Sequence, residues 1–162
     1  MRVDNINMLN DTMAIMDRGY YEVNGKRVNL KLSEKERKEI FVFLPKDVKR
    51  IADNKDFQHV HVMGRIGVGC VNMDSYSLAG GGVRRGSKAQ EEDLCRKSSL
   101  LLSLESLEAS VYYKYNKSLN TYMGSDAVMI TPQVEIIKDE NGDLLDESVI
   151  VSVMTCAAPM LR

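Results

Sequence analysis

The stretch that decides the fold covers residues 71–92 and reads VNMDSYSLAGGGVRRGSKAQEE. It begins in an apolar, strand-like run, passes through Gly80-Gly81-Gly82 and enters a helical pattern at Gln90. Glycine has no Cβ, so the backbone of such a loop can approach a ligand closely and adopt positive φ. Successive N–H groups then form a nest for phosphate oxygens, and the following helix adds its positive end. The stretch therefore predicts a strand, loop and helix that bind a phosphate-bearing ligand.

Each half of this pattern also has a purely structural interpretation. A glycine triplet is typical of a tight turn, and Ser87 followed by Gln90 fits a capping box. Glu91 and Glu92 favour the first turn of a helix, because the macrodipole attracts negative charge there. Neither GxxxxGK[ST] nor the GxGxxG spacing occurs at this loop, so the common nucleotide motifs do not decide between the two interpretations.

The rest of the chain alternates between helical and strand-like patterns. Apolar residues at helical spacing predict a helix over 3–18 that ends at Gly19. Asn24-Gly25 predicts a hairpin between two β-prone runs, and Ser33 with Glu36 predicts a capping box. Further strands are predicted at 41–44, 57–63, 66–72, 127–131, 133–138 and 148–155, the last one buried, and further helices at 45–53, 88–102 and 104–119. Helices interleaved with charge-poor strands favour an α/β layered sheet.

Composition narrows the class of protein. A chain of 162 residues with 44% apolar and 28% charged residues is typical of one globular domain. The net charge of −1 gives no broad attraction to nucleic acid or to anionic membranes. No apolar run approaches the roughly 20 residues that a membrane span needs. Cys70, Cys95 and Cys156 are odd in number and far apart, which indicates reduced thiols in a cytoplasmic protein.

Two histidines are the strongest alternative constellation. His59 and His61 alternate on one face of a predicted strand, and they could bind a metal together with a cysteine. No third ligand lies near them in sequence, so we predict neither a metal nor a cofactor. The tyrosines of the later helix are interpreted mainly as core residues: Tyr112, Tyr113 and Tyr115.

The spacing between the glycine triplet and Gln90-Glu91-Glu92 is more specific than either motif alone. Triple glycine, seven intervening residues and Gln-Glu-Glu resemble the signature of the microbial-type poly(ADP-ribose) glycohydrolases. Residues 71–83 also resemble the glycine loop of macrodomains, and residues 12–30 are similar to the N-terminal helix and hairpin of the microbial type. Residues 122–138 and the strand before 155–159 resemble its later part. Nearly the whole chain is covered, and the glycine and Gln-Glu-Glu pair is the specific part.

The resemblance implies a fold, a ligand and a reaction. The fold is an α/β/α macrodomain-like sandwich with a mixed sheet, extended by an N-terminal helix and β-hairpin. The implied division is an extension at 1–50 and a catalytic domain at 51–162. The ligand is ADP-ribose or poly(ADP-ribose), held at the strand ends, with no direct nucleic-acid or membrane binding. The reaction is hydrolysis of the ribose–ribose O-glycosidic bond.

The resemblance also assigns roles to residues. Glu92 is the acid that protonates the leaving oxygen, and Glu91 positions the neighbouring ribose hydroxyls. Residues i and i+1 do not share a helix face, so we expect one carboxyl group to transfer the proton while the other mainly binds. The implied ligand-binding residues are Asn72, Gly80, Gly81, Gly82, Val83 and Gln90.

The chain also departs from the family pattern. Leu78-Ala79 stands where many members have Asn-Pro, and Arg84 and Arg85 either meet phosphate or lie in a solvated loop. Members continue beyond the point that corresponds to Arg162, with more strands and a second phosphate loop. We therefore expect a domain that is incomplete at its C-terminus, weak turnover, and self-association through an exposed sheet edge at strand 148–155. A non-catalytic ADP-ribose-binding module or remnant, and a different nucleotide-sugar ligand, remain alternatives.

Overall fold

The computed structural model describes residues 2–53, 69–74, 78–119 and 125–157. The helices are α1 (Arg2–Arg18), α2 (Glu34–Lys38), α3 (Pro45–Asp53), α4 (Gln90–Lys97), α5 (Leu100–Leu104) and α6 (Ala109–Ser118), with a 3-10 turn at Val83–Arg85. The strands are β1 (Tyr20–Val23), β2 (Lys26–Asn29), β3 (Phe41–Phe43), β4 (Gly69–Asp74), β5 (Val128–Lys138) and β6 (Leu144–Ala157). The predicted strand at 57–63, with His59 and His61, lies outside the described residues. Within the described ranges, no helix is long and apolar enough to cross a membrane.

The N-terminal elements form as their local sequence predicts. Gly19 ends α1 with φ +77°, and its N–H donates to the Ile15 carbonyl at 2.9 Å. Asn24 and Gly25 have φ values of 51° and 73°, as a two-residue type I′ turn between paired strands requires. The capping box at Ser33 is complete, since its side chain and the Glu36 carboxylate each accept from the other residue's N–H. These predictions are confirmed.

The main sheet has the strand order β3-β5-β6-β4. Strand β5 is antiparallel to both β3 and β6, whereas β4 runs parallel to β6. Strand β6 therefore has β5 on one side and, over residues 152–157, β4 on the other, so the predicted exposed edge is wrong for residues 152–155. The error arose because a strand's neighbours come from distant parts of the chain, which the local pattern does not show. Self-association stays a prediction.

Pro132 does not split the chain into two strands, contrary to prediction. Strand β5 runs through it, and the register with β6 shifts between Thr131 and Val134. Such an irregularity accommodates a residue that lacks an N–H donor. The Pro132 carbonyl instead accepts a hydrogen bond from Ser152 Oγ at 2.8 Å.

Strand β6 is buried on only one of its faces. Val151 and Val153 lie in the core at 7% and 0% exposure, whereas Met154, on the other face, is 42% exposed. Met154 pairs with Ile130, which pairs with Phe41, so a partly exposed apolar row crosses three strands. The prediction of a buried strand is therefore correct for the face that meets α4, α5 and α6. Because both faces of β6 carry apolar residues, the sequence pattern alone does not show which face is buried.

The predicted helix at 88–102 is two helices, α4 and α5, with a break at Ser98 and Ser99. Ser98 forms an isolated bridge with Ile136. The Ser99 N–H donates to the Glu135 carbonyl at 3.0 Å, and the Glu135 N–H donates to Ser99 Oγ at 2.9 Å. The helix thus breaks where the chain touches β5. The second predicted helix, at 104–119, begins later, at Ala109.

The core joins the helical layer to the sheet and includes the N-terminal helix. Leu9 of α1 lies in the same buried cluster as Leu101, Tyr112 and Val153. Tyr112 and Tyr113 are 0% and 7% exposed, in agreement with their interpretation as core residues. Both α1 and β3 fall within 1–50 and are continuous with this core and sheet. The division of the chain at residue 50 stays a prediction.

Candidate functional site

The candidate site lies at the carboxyl ends of the two parallel strands of the sheet. Strands β4 and β6 are parallel, and their carboxyl ends meet where Asp74 pairs with Ala157. In open α/β sheets, ligands bind outside the carboxyl ends of such strands. Asn72 lies in β4 opposite Thr155, near these carboxyl ends. The next described segment after β4 begins at Leu78 and enters the glycine loop.

The glycine loop is folded back on itself by its own hydrogen bonds. Gly80 and Gly81 have φ values of 64° and 52°, the left-handed region that glycine favours. The Gly81 N–H donates to the Leu78 carbonyl at 2.9 Å, and the Val83 N–H donates to the Gly80 carbonyl at 3.0 Å. The Gly82 N–H donates to Glu92 Oε1 at 2.8 Å. The N–H groups of Gly81, Gly82 and Val83 are thus all engaged within the protein, those of Gly81 and Val83 by loop carbonyls and that of Gly82 by a carboxylate.

Two buried carboxylates approach the loop from the first turn of α4. Glu91 and Glu92 are only 2% and 7% exposed. A Cβ added at Gly81 would lie 2.6 Å from Glu92 Oε1 and 3.5 Å from Glu91 Oε2. Both carboxylates therefore lie against the same glycine, although adjacent helical residues do not share a face. Helical side chains lean toward the N-terminus, which brings both of these to the loop.

Each glycine of the triplet is packed against a different side chain. A Cβ at Gly80 would lie 2.6 Å from Leu101 Cδ1, a Cβ at Gly81 would meet Glu92, and a Cβ at Gly82 would overlap Ser87 Oγ. A simple surface turn does not need three such contacts. The glycine triplet therefore allows the loop backbone to lie close to both the core and the acidic motif.

Glu92 has one oxygen held and one available. Oε1 accepts the Gly82 N–H, whereas Oε2 is buried and has no hydrogen-bond partner among the described residues. A buried polar atom without a partner costs free energy. A ligand group that donates a hydrogen bond to Oε2 would remove this cost.

The helix start differs from the capping box predicted at Ser87. The cap residue of α4 is Ala89, and no side chain caps the helix. Ser87 lies instead against Gly82, and its N–H donates to the Gly82 carbonyl at 3.2 Å. The capping-box interpretation is therefore wrong. The Gln90 side chain is exposed at the start of α4, whereas Val83 is 1% exposed and packs in the core.

Arg84 forms an ion pair within the protein, whereas its sequence predicted either contact with phosphate or a place in a solvated loop. Its Nε donates to Glu105 Oε1 at 3.0 Å, and its Nη2 donates to Glu105 Oε2 at 2.7 Å. This two-pronged pair ties the 3-10 turn to the end of α5. Arg85 is exposed.

Helix α1 supports the loop from the outside, which sequence reasoning missed. Asn5 Nδ2 donates to the Gly86 carbonyl at 3.0 Å, and Thr12 Oγ1 donates to the Arg96 carbonyl at 2.5 Å. Gly86 has φ +76°, and a Cβ there would lie 2.6 Å from the Arg2 carbonyl oxygen. Gly86 was the available signal, because a glycine just past the motif indicates a close approach. Its partner on α1 could not be identified from local sequence.

The described residues contain no cluster of side chains suited to hold a metal ion. No group of three His, Cys, Asp or Glu residues there could hold an ion. His59 and His61 fall outside those residues, so the interpretation of that pair stays a prediction.

Comparison with known families places this site in context. The family model described as the catalytic domain of microbial-type PARG, where PARG is poly(ADP-ribose) glycohydrolase, matches residues 10–139. The chain belongs to this family. The match includes both the glycine triplet and the Gln-Glu-Glu motif, and it confirms the family that the sequence motif indicated.

Solved structures agree on the fold. The poly(ADP-ribose) glycohydrolase of Thermomonospora curvata, bound to the inhibitor ADP-HPD, is 23% identical with a TM-score of 0.80, over 96% of this chain and 63% of that one. The enzyme of Deinococcus radiodurans, in complex with ADP-ribose, is 27% identical with a TM-score of 0.65, over 82% and 59%. No curated protein sequence matches the chain. The macrodomain-like α/β fold class is confirmed, and the chain spans about three fifths of these relatives' lengths.

Proposed function

We propose that this chain hydrolyses ribose–ribose O-glycosidic bonds in poly(ADP-ribose) and releases ADP-ribose. Family membership supports the reaction class. A relative was solved with ADP-ribose and another with the inhibitor ADP-HPD, which supports ADP-ribose as the ligand. The glycine loop and two buried carboxylates of this chain supply the groups that such a reaction needs.

The observation that carries the proposal is the asymmetric environment of the Glu92 carboxyl group. Its Oε1 is fixed by the Gly82 N–H at 2.8 Å, and its buried Oε2 has no partner among the described residues. In the proposed reaction, Oε2 gives a proton to the bridging oxygen as the bond to the anomeric carbon breaks. A positioned carboxylic acid is the usual donor in glycoside hydrolysis, which passes through an oxocarbenium-like transition state. Water adds to the anomeric carbon, and the proton it loses restores the Glu92 acid through solvent.

The neighbouring residues have binding roles in this proposal. Glu91, which lies beside Glu92 at Gly81, accepts hydrogen bonds from ribose hydroxyls. The glycine loop at 80–83 lies against the ribose and diphosphate, and Asn72 and Gln90 contribute to their binding. No metal or cofactor is needed, because a side chain supplies the acid. A cytoplasmic location is part of the proposal, on the odd number and wide spacing of the three cysteines in the sequence.

The proposal is tested by two assays on the wild type and on Glu92→Ala. Calorimetry with ADP-ribose measures binding, and release of ADP-ribose from poly(ADP-ribose) measures turnover. We expect both proteins to bind and the variant to lose at least about a hundredfold in rate, as for removal of a general acid. Binding without release by the wild type would contradict the reaction and indicate a binding module. Failure of the wild type to bind ADP-ribose would contradict the ligand as well.

A further inference from the structure

Arg96 is a buried cation that the proposed reaction leaves without a role. It lies four residues after Glu92 on α4 and is 3% exposed. Its Nη1 donates to the Ser87 carbonyl, and its Nη2 lies 3.4 Å from Asp93 Oδ1. Burial of a guanidinium is costly unless it is paired and hydrogen-bonded. One of these partners, Ser87, lies at the end of the glycine loop, and Asp93 lies on α4 itself.

Ser87 connects Arg96 to the glycine that holds Glu92. The Ser87 N–H donates to the Gly82 carbonyl at 3.2 Å, and Ser87 Oγ fills the space where a Gly82 Cβ would be. The same Gly82 donates its N–H to Glu92 Oε1. The loop is therefore fastened to α4 at two points one helical turn apart, at Glu92 and at Arg96.

The backbone of Arg96 is itself hydrogen-bonded to α1. Its carbonyl accepts from Thr12 Oγ1 of α1 at 2.5 Å. Thr12 Oγ1 in turn accepts from Lys138 Nζ of β5 at 2.8 Å, and that ammonium also pairs with Asp11 at 2.6 Å. Thr12 and Lys138 are 0% and 4% exposed. A continuous series of hydrogen bonds thus runs from the sheet, through α1 and Arg96, to the Glu92 carboxylate.

We infer that Arg96 is the positioning residue that keeps the Gly82 N–H on Glu92 Oε1. It contacts neither the ligand nor the reacting atoms, and acts through Ser87 and Gly82. Without its guanidinium, Ser87 loses its link to α4 and Gly82 can move away from Glu92. The Glu92 carboxyl group would then no longer present Oε2 to the bridging oxygen in one orientation. The catalytic part of this inference rests on the proposed function, whereas the link to Gly82 does not.

The test compares Arg96→Met with Arg37→Met. Arg37 is a matched control, because it is also buried, at 5% exposure, and donates to two backbone carbonyls, those of Leu32 and Met16. It lies away from the glycine loop. Amide hydrogen exchange at Gly82, divided by the intrinsic rate at each temperature, is measured at temperatures that give both variants the same free energy of unfolding. We expect exchange at least about tenfold faster in Arg96→Met, as for loss of a hydrogen bond to a charged group.

Kinetics separate positioning from general loss of structure. In Arg96→Met, kcat on poly(ADP-ribose) should fall roughly tenfold to a hundredfold while KM stays close to that of the wild type. Arg96→Lys, which can still donate to Ser87, should recover part of both the exchange protection and kcat. Arg37→Met should keep kcat.

Two outcomes distinguish this inference from the proposed function. Equal Gly82 exchange in Arg96→Met and Arg37→Met would overturn the inference, whatever the activity. Absence of release by the wild type, with the exchange difference present, would overturn the proposed function and leave the Arg96 link to Gly82 standing.

Discussion

At the scale of single residues, Gly81 determines how the acidic motif meets the loop. Its φ of 52° lies in the left-handed region, which glycine adopts at no steric cost, and the Glu92 carboxylate occupies the space beside its Cα. A turn needs the first property, whereas only a site needs the second. The structural and functional interpretations of the triplet are therefore compatible at this position.

Gly81→Ala separates these two properties when it is compared with Gly25→Ala. Both substitutions place alanine at positive φ, which costs about 1–2 kcal/mol. A Cβ at Gly81 would lie 2.6 Å from Glu92 Oε1, whereas a Cβ at Gly25 would meet nothing within 4 Å. We expect the larger loss of stability in thermal unfolding in Gly81→Ala, because Glu92 must also move, and loss of ADP-ribose release only in that variant. Equal release rates in the two variants would show that Glu92 need not lie at Gly81.

At the scale of elements, local signals were sufficient wherever a feature depends on a few adjacent residues. The Asn24-Gly25 turn, the capping box at Ser33 and the end of α1 at Gly19 all form as predicted. Each is determined by the φ preference or the side-chain hydrogen bonds of its own residues. The sequence therefore predicts these elements without knowledge of the tertiary structure.

Features that depend on a distant partner could not be predicted in the same way. The break between α4 and α5 occurs because Ser99 exchanges hydrogen bonds with Glu135 of β5. In the sequence, the helical pattern of residues 88–102 continues across this break, so the pattern alone predicts one helix. The convergence of Glu91 and Glu92 on Gly81 likewise depends on how α4 lies against the loop.

The hairpin gives a prediction about alkaline stability, through Tyr21 on β1. Tyr21 is fully buried, and burial raises the pKa of its phenol, with further contributions from Glu135, Glu147 and Asp146. Because the pKa of Tyr21 is higher in the folded than in the unfolded protein, its contribution to stability is fully present below the unfolded pKa of about 10. That contribution is lost as the pH rises above about 10 toward the folded pKa.

Replacing Tyr21 with phenylalanine removes this titration. Its hydroxyl has no hydrogen-bond partner among the described residues, so Tyr21→Phe should cost little stability near about pH 8. Between about pH 8 and about pH 11, its free energy of unfolding in urea should decline less than that of the wild type. An equally steep decline in both proteins would show that Tyr21 is not the titrating group.

At the scale of the whole molecule, the site is assembled from parts far apart in the chain. Helix α1 supports the loop through Asn5 and Thr12, α4 supplies both glutamates, and the carboxyl ends of β4 and β6 form the edge beside them. The family motif identified the loop and the glutamates from sequence. It could not identify α1 as a support, because that role arises only from packing.

A buried glutamate outside the site, Glu135, offers a control for the whole account. Glu135 is 0% exposed and accepts hydrogen bonds from the Lys31 N–H, the Leu32 N–H and Ser148 Oγ. Glu135→Gln should lower the free energy of unfolding by about 1–3 kcal/mol, because an amide cannot accept all of these bonds. It lies outside the site and should leave turnover intact.

The most direct measurement is the rate of ADP-ribose release from poly(ADP-ribose) by the wild type, Glu92→Gln and Glu135→Gln. Glutamine keeps the size of the Glu92 side chain and its acceptor for the Gly82 N–H, but it cannot donate the acidic proton. We predict a loss of at least about a hundredfold in Glu92→Gln and a rate near that of the wild type in folded Glu135→Gln. Release by Glu92→Gln at the wild-type rate would contradict the assignment of Glu92 as the acid.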